Sequence, residues 1–101
     1  MLDIEVNDLE WDVICDVAHE VFYIQGDYID TPNKIAKKPA FALLYLDGSW
    51  WLLMDRICKW QFKSKKQAYK KLQEIANSAK VPIRILLKTK RGYKVIAEKV
   101  R

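Results

Sequence analysis

Apolar and polar positions along the chain mark out seven elements. Asn7-Asp8-Leu9-Glu10 has the form of a helix start, with Asn7 as N-cap and Glu10 at the capping-box position. At 100° per residue, Val13, Ile14, Val17, Ala18, Val21, Phe22 and Ile24 fall on one broad side with Trp11. Asp12, Asp16, His19 and Glu20 fall opposite, while Leu9 and Tyr23 sit among the polar residues. The pattern predicts a helix over 8–24, closed near Gly26. A strand is the competing reading, because Leu9, Trp11, Val13, Cys15 and Val17 alternate. It leaves Ile14, Ala18 and Phe22 on the wet face, so the helix is preferred.

Residues 27–39, with Pro32, Pro39 and lysines 34, 37 and 38, read as a loop. Two apolar runs, Phe41 to Leu46 and Ser49 to Met54, then flank Asp47-Gly48, a pair suited to a two-residue type I′ turn. That register sets Tyr45 opposite Trp50, Leu43 opposite Leu52 and Phe41 opposite Met54. Both faces of the hairpin are apolar, so each needs cover from helices, a partner subunit or a ligand. A third strand is predicted over Cys58–Phe62, with Cys58, Trp60 and Phe62 on one side and Lys59 and Gln61 on the other. Ser64 caps a second helix running to about Ala79, with Ala68, Tyr69, Leu72, Ile75, Ala76 and Ala79 as its apolar stripe. Strands Ile83–Lys88 and Tyr93–Val100 follow, joined by a turn at residues 89–92. The order α-β-β-β-α-β-β predicts one small α+β domain, an antiparallel sheet packed with two helices.

At 101 residues, half of them hydrophobic, the chain has the size and composition of one ordinary domain with a core of its own. It holds no run of about 18 apolar residues. Its start, Met-Leu-Asp-Ile-Glu, is acidic where a signal peptide is basic. Cys15 and Cys58 lack framework spacing and point to reduced thiols in a cytoplasm.

The net charge of +5 is unevenly distributed. Residues 1–31 hold nine acids and no lysine or arginine, whereas residues 32–101 hold 18 basic residues against four acids, a balance of +14. Such asymmetry points to a polyanionic partner or to an acidic arm. Enzyme chemistry finds little footing: there is one histidine, no nucleophile elbow, and three scattered glycines that build no phosphate loop. Asp12, Asp16 and Glu20 stack at i, i+4, i+8 on the proposed helix, a pattern that a solvated face explains more simply than paired acid–base work. Cys15 and His19 are four apart, but tetrahedral zinc needs further ligands at known spacings, so no metal or cofactor is expected.

The best functional signal is the passage from strand to helix. Lys63, Lys65, Lys66, Lys70 and Lys71 gather at the first turns of a helix whose amides already favour anions. They are placed to neutralise phosphates, with Lys59 beside them and Arg91 and Lys94 on the final hairpin. Trp60 is the aromatic candidate for stacking on a base. Lys63-Ser64-Lys65-Lys66-Gln67-Ala68 resembles the opening of the last helix in double-stranded-RNA-binding domains. The resemblance centres on residues 63–79 and extends in element order back to residue 40. It implies phosphate contacts from Lys65, Lys66 and Lys70, with Lys63 beside them.

Two functional classes therefore stand. The first is a non-enzymatic nucleic-acid-binding protein, for RNA or DNA, using backbone phosphates. The second is a protein-interaction or inhibitor module that uses Asp12, Asp16 and Glu20 of the acidic helix and the apolar hairpin. Its partner is another protein or a second copy of the chain, as a dimer. Membrane-surface binding is disfavoured, because the basic helix lacks large apolar anchors on its wet edge.

Overall fold

The computed structural model describes residues 8–30, 34–54 and 58–100. Its elements are α1 (Asp8–Val17), β1 (Glu20–Gly26), β2 (Phe41–Leu46), β3 (Ser49–Met54), β4 (Cys58–Phe62), α2 (Lys65–Asn77), β5 (Ile83–Thr89) and β6 (Gly92–Lys99). The six strands form one antiparallel sheet in the order β4-β3-β2-β1-β5-β6, giving the α+β class read from the sequence. The predicted Asn7 cap and Pro32 lie outside the described residues.

One element departs from the expectation. The helix predicted over 8–24 stops at Val17, and Glu20–Gly26 is a strand at the centre of the sheet, so the order is α-β-β-β-β-α-β-β. The cause is two-sided burial. Phe22 and Ile24 pack toward the core under α2, while Val21 packs toward α1, so residues 21–24 of the strand form an unbroken apolar run. A continuous apolar run fits either a buried strand or a broad helix face, and periodicity alone does not separate them. The β-branched and aromatic run Val21-Phe22-Tyr23-Ile24 is what favours the strand. Val13 and Val17, assigned to the buried side of the longer helix, are 56% and 70% exposed. Glu20 no longer belongs to the acidic helix at all.

The hairpin's two apolar faces are each covered by a helix of the same chain. On one face α2 lays Ala68, Leu72 and Ala76 against Phe22, Phe41, Leu43, Leu52, Ile83, Ile85 and Ala97. Complete burial of Phe22, Phe41, Leu43, Leu52, Leu72 and Ile85 contributes about 1.5–3 kcal/mol per side chain. On the other face α1 sets Trp11 and Ile14 against Ala42, Leu44 and Leu53. The Trp11 indole N–H donates to the Pro39 carbonyl at 3.0 Å, which satisfies the polar end of a buried ring.

The turn chemistry follows the sequence. Asp47 and Gly48 have φ of 52° and 78°, the left-handed pair a type I′ turn requires, and the β2–β3 register is the one they predicted. A bulge between Ile85 and Leu86 interrupts the β5–β6 ladder. Outer strand β6 is blunted by α2, because the Gln73 side chain donates to the Glu98 carbonyl at 2.9 Å and accepts from its N–H at 3.4 Å.

Candidate nucleic-acid interface

Strand β4 ends at Phe62, and the chain turns straight into α2. The turn is fixed by a reciprocal cap: Ser64 Oγ accepts from Gln67 N–H at 3.2 Å, and Gln67 Oε1 accepts from Lys63 N–H at 2.9 Å. The Ser-x-x-Gln spacing was present in the sequence, and it pins the backbone of Lys63 as well as the helix start. No acid occupies the first turn of α2. Lys65 and Lys66 stand there instead, at the helix end whose dipole favours negative groups, an arrangement costing a few tenths of a kcal/mol per exposed charge.

Beside this turn lies a cleft of about 760 Å³, between the outer side of β4 and the exposed flank of α2. Lys63, Lys70 and Lys71 line it with Gln67, Phe62 and Glu74, and Ser49 and Gln61 close its far wall. The wall is held by Gln61 Nε2 donating to Ser49 Oγ at 2.9 Å. Glu74 is the single acid in the lining and sits 3.5 Å from Lys71 Nζ. An i,i+3 pair this exposed is worth only about 0.2–0.5 kcal/mol, so Glu74 holds Lys71 weakly. Among the described residues Lys63, Lys66 and Lys70 have no carboxylate partner within ion-pair distance.

The other nominated residues lie apart from the cleft. Lys65 turns toward the central strand, with Nζ 3.1 Å from Glu20 Oε2 and 5.5 Å from the Tyr69 ring centre. Tyr69 donates its hydroxyl hydrogen to Glu20 Oε1 at 2.6 Å. Burial chiefly, then that hydrogen bond and the carboxylate charge, push the Tyr69 phenol well above its ordinary range. Lys66 is exposed on the outer face of α2. Lys59 pairs with Leu53 and so projects from the face covered by α1, and it does not line the cleft. Arg91 and Lys94 belong to the β5–β6 hairpin at the far side of the sheet, five strand positions or about 24 Å away. Trp60 is half-buried against the α2 core with Lys71 Nζ 5.2 Å from its ring centre, a packed side chain with its cation in place.

Charge is also segregated in space. Asp12 and Asp16 are exposed on α1, on the face of the sheet opposite α2. The carboxylate stack read into Asp12, Asp16 and Glu20 does not form, because Glu20 lies on the α2 side of β1. His19 follows α1 rather than continuing it, and its ring meets Trp50 edge-on at 5.1 Å. Among the described residues no three histidine, cysteine or acidic groups converge as metal ligands, and no helix is long and apolar enough to cross a membrane.

Sequence reasoning did not single out Ser49, Gln61 and Gln67, which build the cleft, or Tyr45, which stands exposed on β2, two strands from β4. For Tyr45 a signal existed in the Asp-Gly register that sets it opposite Trp50. Compared with protein-family models, with curated proteins and with solved structures, the chain matches none.

Proposed function

We propose that this is a non-enzymatic nucleic-acid-binding protein that grips backbone phosphates in the cleft between β4 and α2. It acts in the cytoplasm, where its thiols stay reduced. The observation that carries the reading is the convergence of Lys63, Lys70 and Lys71 on one cleft that contains a single, weakly held acid. Three ammonium groups on a concave wall raise the local concentration of a polyanion. Glutamine and serine side chains beside them supply neutral donors of the kind that contact phosphate and sugar. Lys66, at the first turn of α2, extends the basic surface outward. The lysines at the positive end of α2 cost stability locally, as functional sites do where they break a local rule.

Fluorescence anisotropy with labelled DNA and RNA tests the reading, with Lys63→Ala/Lys70→Ala/Lys71→Ala beside the parent. A loss of tenfold or more in the triple variant supports it. Equal binding by parent and variant defeats it.

A second reading rests on α1. Val13 and Val17 stand exposed among Glu10, Asp12 and Asp16, an acidic stripe with apolar anchors that suits a basic protein groove or a second copy of the chain. Sedimentation across a concentration series, with Val13→Ser/Val17→Ser for comparison, tests self-association. A parent that stays monomeric throughout excludes the second copy.

A further inference from the structure

The α2-covered face of the sheet carries a row of aromatic side chains at the end where α2 begins. Tyr45, Trp50 and Phe62 are successive partners across β2, β3 and β4 and therefore share that face. The Tyr45 and Trp50 rings lie 4.8 Å apart, and the His19 ring meets Trp50 edge-on at 5.1 Å. Further along the same strands the equivalent positions, Leu43 and Leu52, are sealed beneath α2. Here the helix leaves the sheet open, Tyr45 is 55% exposed and Trp50 half-buried. Phe62 belongs both to this row and to the lining of the lysine cleft. Phe62 is thus the residue that joins the ring row to the cationic cleft.

We propose that Tyr45 and Trp50 form a stacking platform for the bases of a single-stranded nucleic acid whose phosphates lie along Lys63, Lys70 and Lys71. This rests on the phosphate-binding reading of the cleft and adds the strand type. A duplex keeps its base faces stacked and offers only its backbone, whereas an open strand presents each base as a flat π surface beside its phosphate. Aromatic rings adjoining lysines match that alternation. The Tyr45 and Trp50 rings are tilted by 53°, so a base lies against the exposed Tyr45 face rather than between two parallel rings.

The test measures binding of a single-stranded oligonucleotide, the same sequence as duplex, and inorganic polyphosphate as a base-free polyanion, to the parent, Tyr45→Ala and Tyr45→Phe. The parent should prefer the single strand to both other probes and show quenched tryptophan fluorescence with it alone. Tyr45→Ala should lose about tenfold toward the single strand and nothing toward polyphosphate, with Tyr45→Phe like the parent. A duplex preference, an unchanged single-strand affinity in Tyr45→Ala, or an equal loss toward polyphosphate overturns the platform. In the first two cases the cleft still binds phosphate and its reading survives. If the parent binds none of the three probes, both readings fall together.

Discussion

Tyr69 donates a 2.6 Å hydrogen bond to Glu20, tying the second helix to the central strand of the sheet. Lys65 meets the same carboxylate from its other oxygen at 3.1 Å, so one acid holds the first turns of α2 in place. Lys65 and Tyr69 stand one turn apart on α2, whereas Glu20 lies 49 residues before Tyr69. Glu20 was grouped with a partner-binding face and Lys65 with the phosphate contacts; their pairing makes them an anchor for the helix that carries the cleft.

The phenol of Tyr69 has a folded-state pKa above its ordinary value of 10.0. Its contribution is therefore fully present below pH 10 and is lost as pH rises beyond that value. Tyr69→Phe removes a bond to a charged acceptor, expected to cost about 1–2 kcal/mol near neutrality. Urea unfolding on both sides of pH 10 should show the parent's advantage over the variant shrinking at alkaline pH. An advantage that is constant or grows with pH would contradict the assigned bond.

Glu20→Gln removes a negative charge and releases Lys65 from its ion pair. Stability should fall by about 1 kcal/mol, and affinity for any polyanion bound near the start of α2 should rise severalfold at low salt. Anisotropy titration of the variant checks the direction, and weaker binding would place the polyanion elsewhere.

The division of 8–26 into a helix and a strand has opposite consequences for two of its residues. Phe22→Ala should cost about 3–5 kcal/mol, because its ring is sealed between the sheet and α2. Val17→Ser should change stability by less than about 0.5 kcal/mol, since that side chain stands in solvent. A helix through residue 24 would bury both, so comparable losses in chemical denaturation would refute the observed boundary.

Those two residues also mark what local pattern could reveal. The 41–54 hairpin was readable because Asp47-Gly48 encodes both turn and register locally. The α2 stripe was readable because only one side of that helix is buried. Strand β1 was not, since a central strand covered on both faces shows no period of two, and its neighbours β2 and β5 are distant in sequence. The lysine cluster was visible, but its division was not. Which lysines enter the cleft depends on Glu20, distant in sequence from Lys65, and on Gln61 and Phe62 at the end of β4.

The central claim is that Lys63, Lys70 and Lys71 each neutralise a phosphate, and the salt dependence of binding measures that directly. Affinity for a single-stranded oligonucleotide should fall linearly with salt on logarithmic axes. Removing all three lysines should reduce the slope by about 2, at roughly 0.7 per phosphate contact. Lys80→Ala, beyond the C-terminal end of α2, should leave it unchanged. A slope equal in parent and triple variant would show that these lysines are only a solvated helix face.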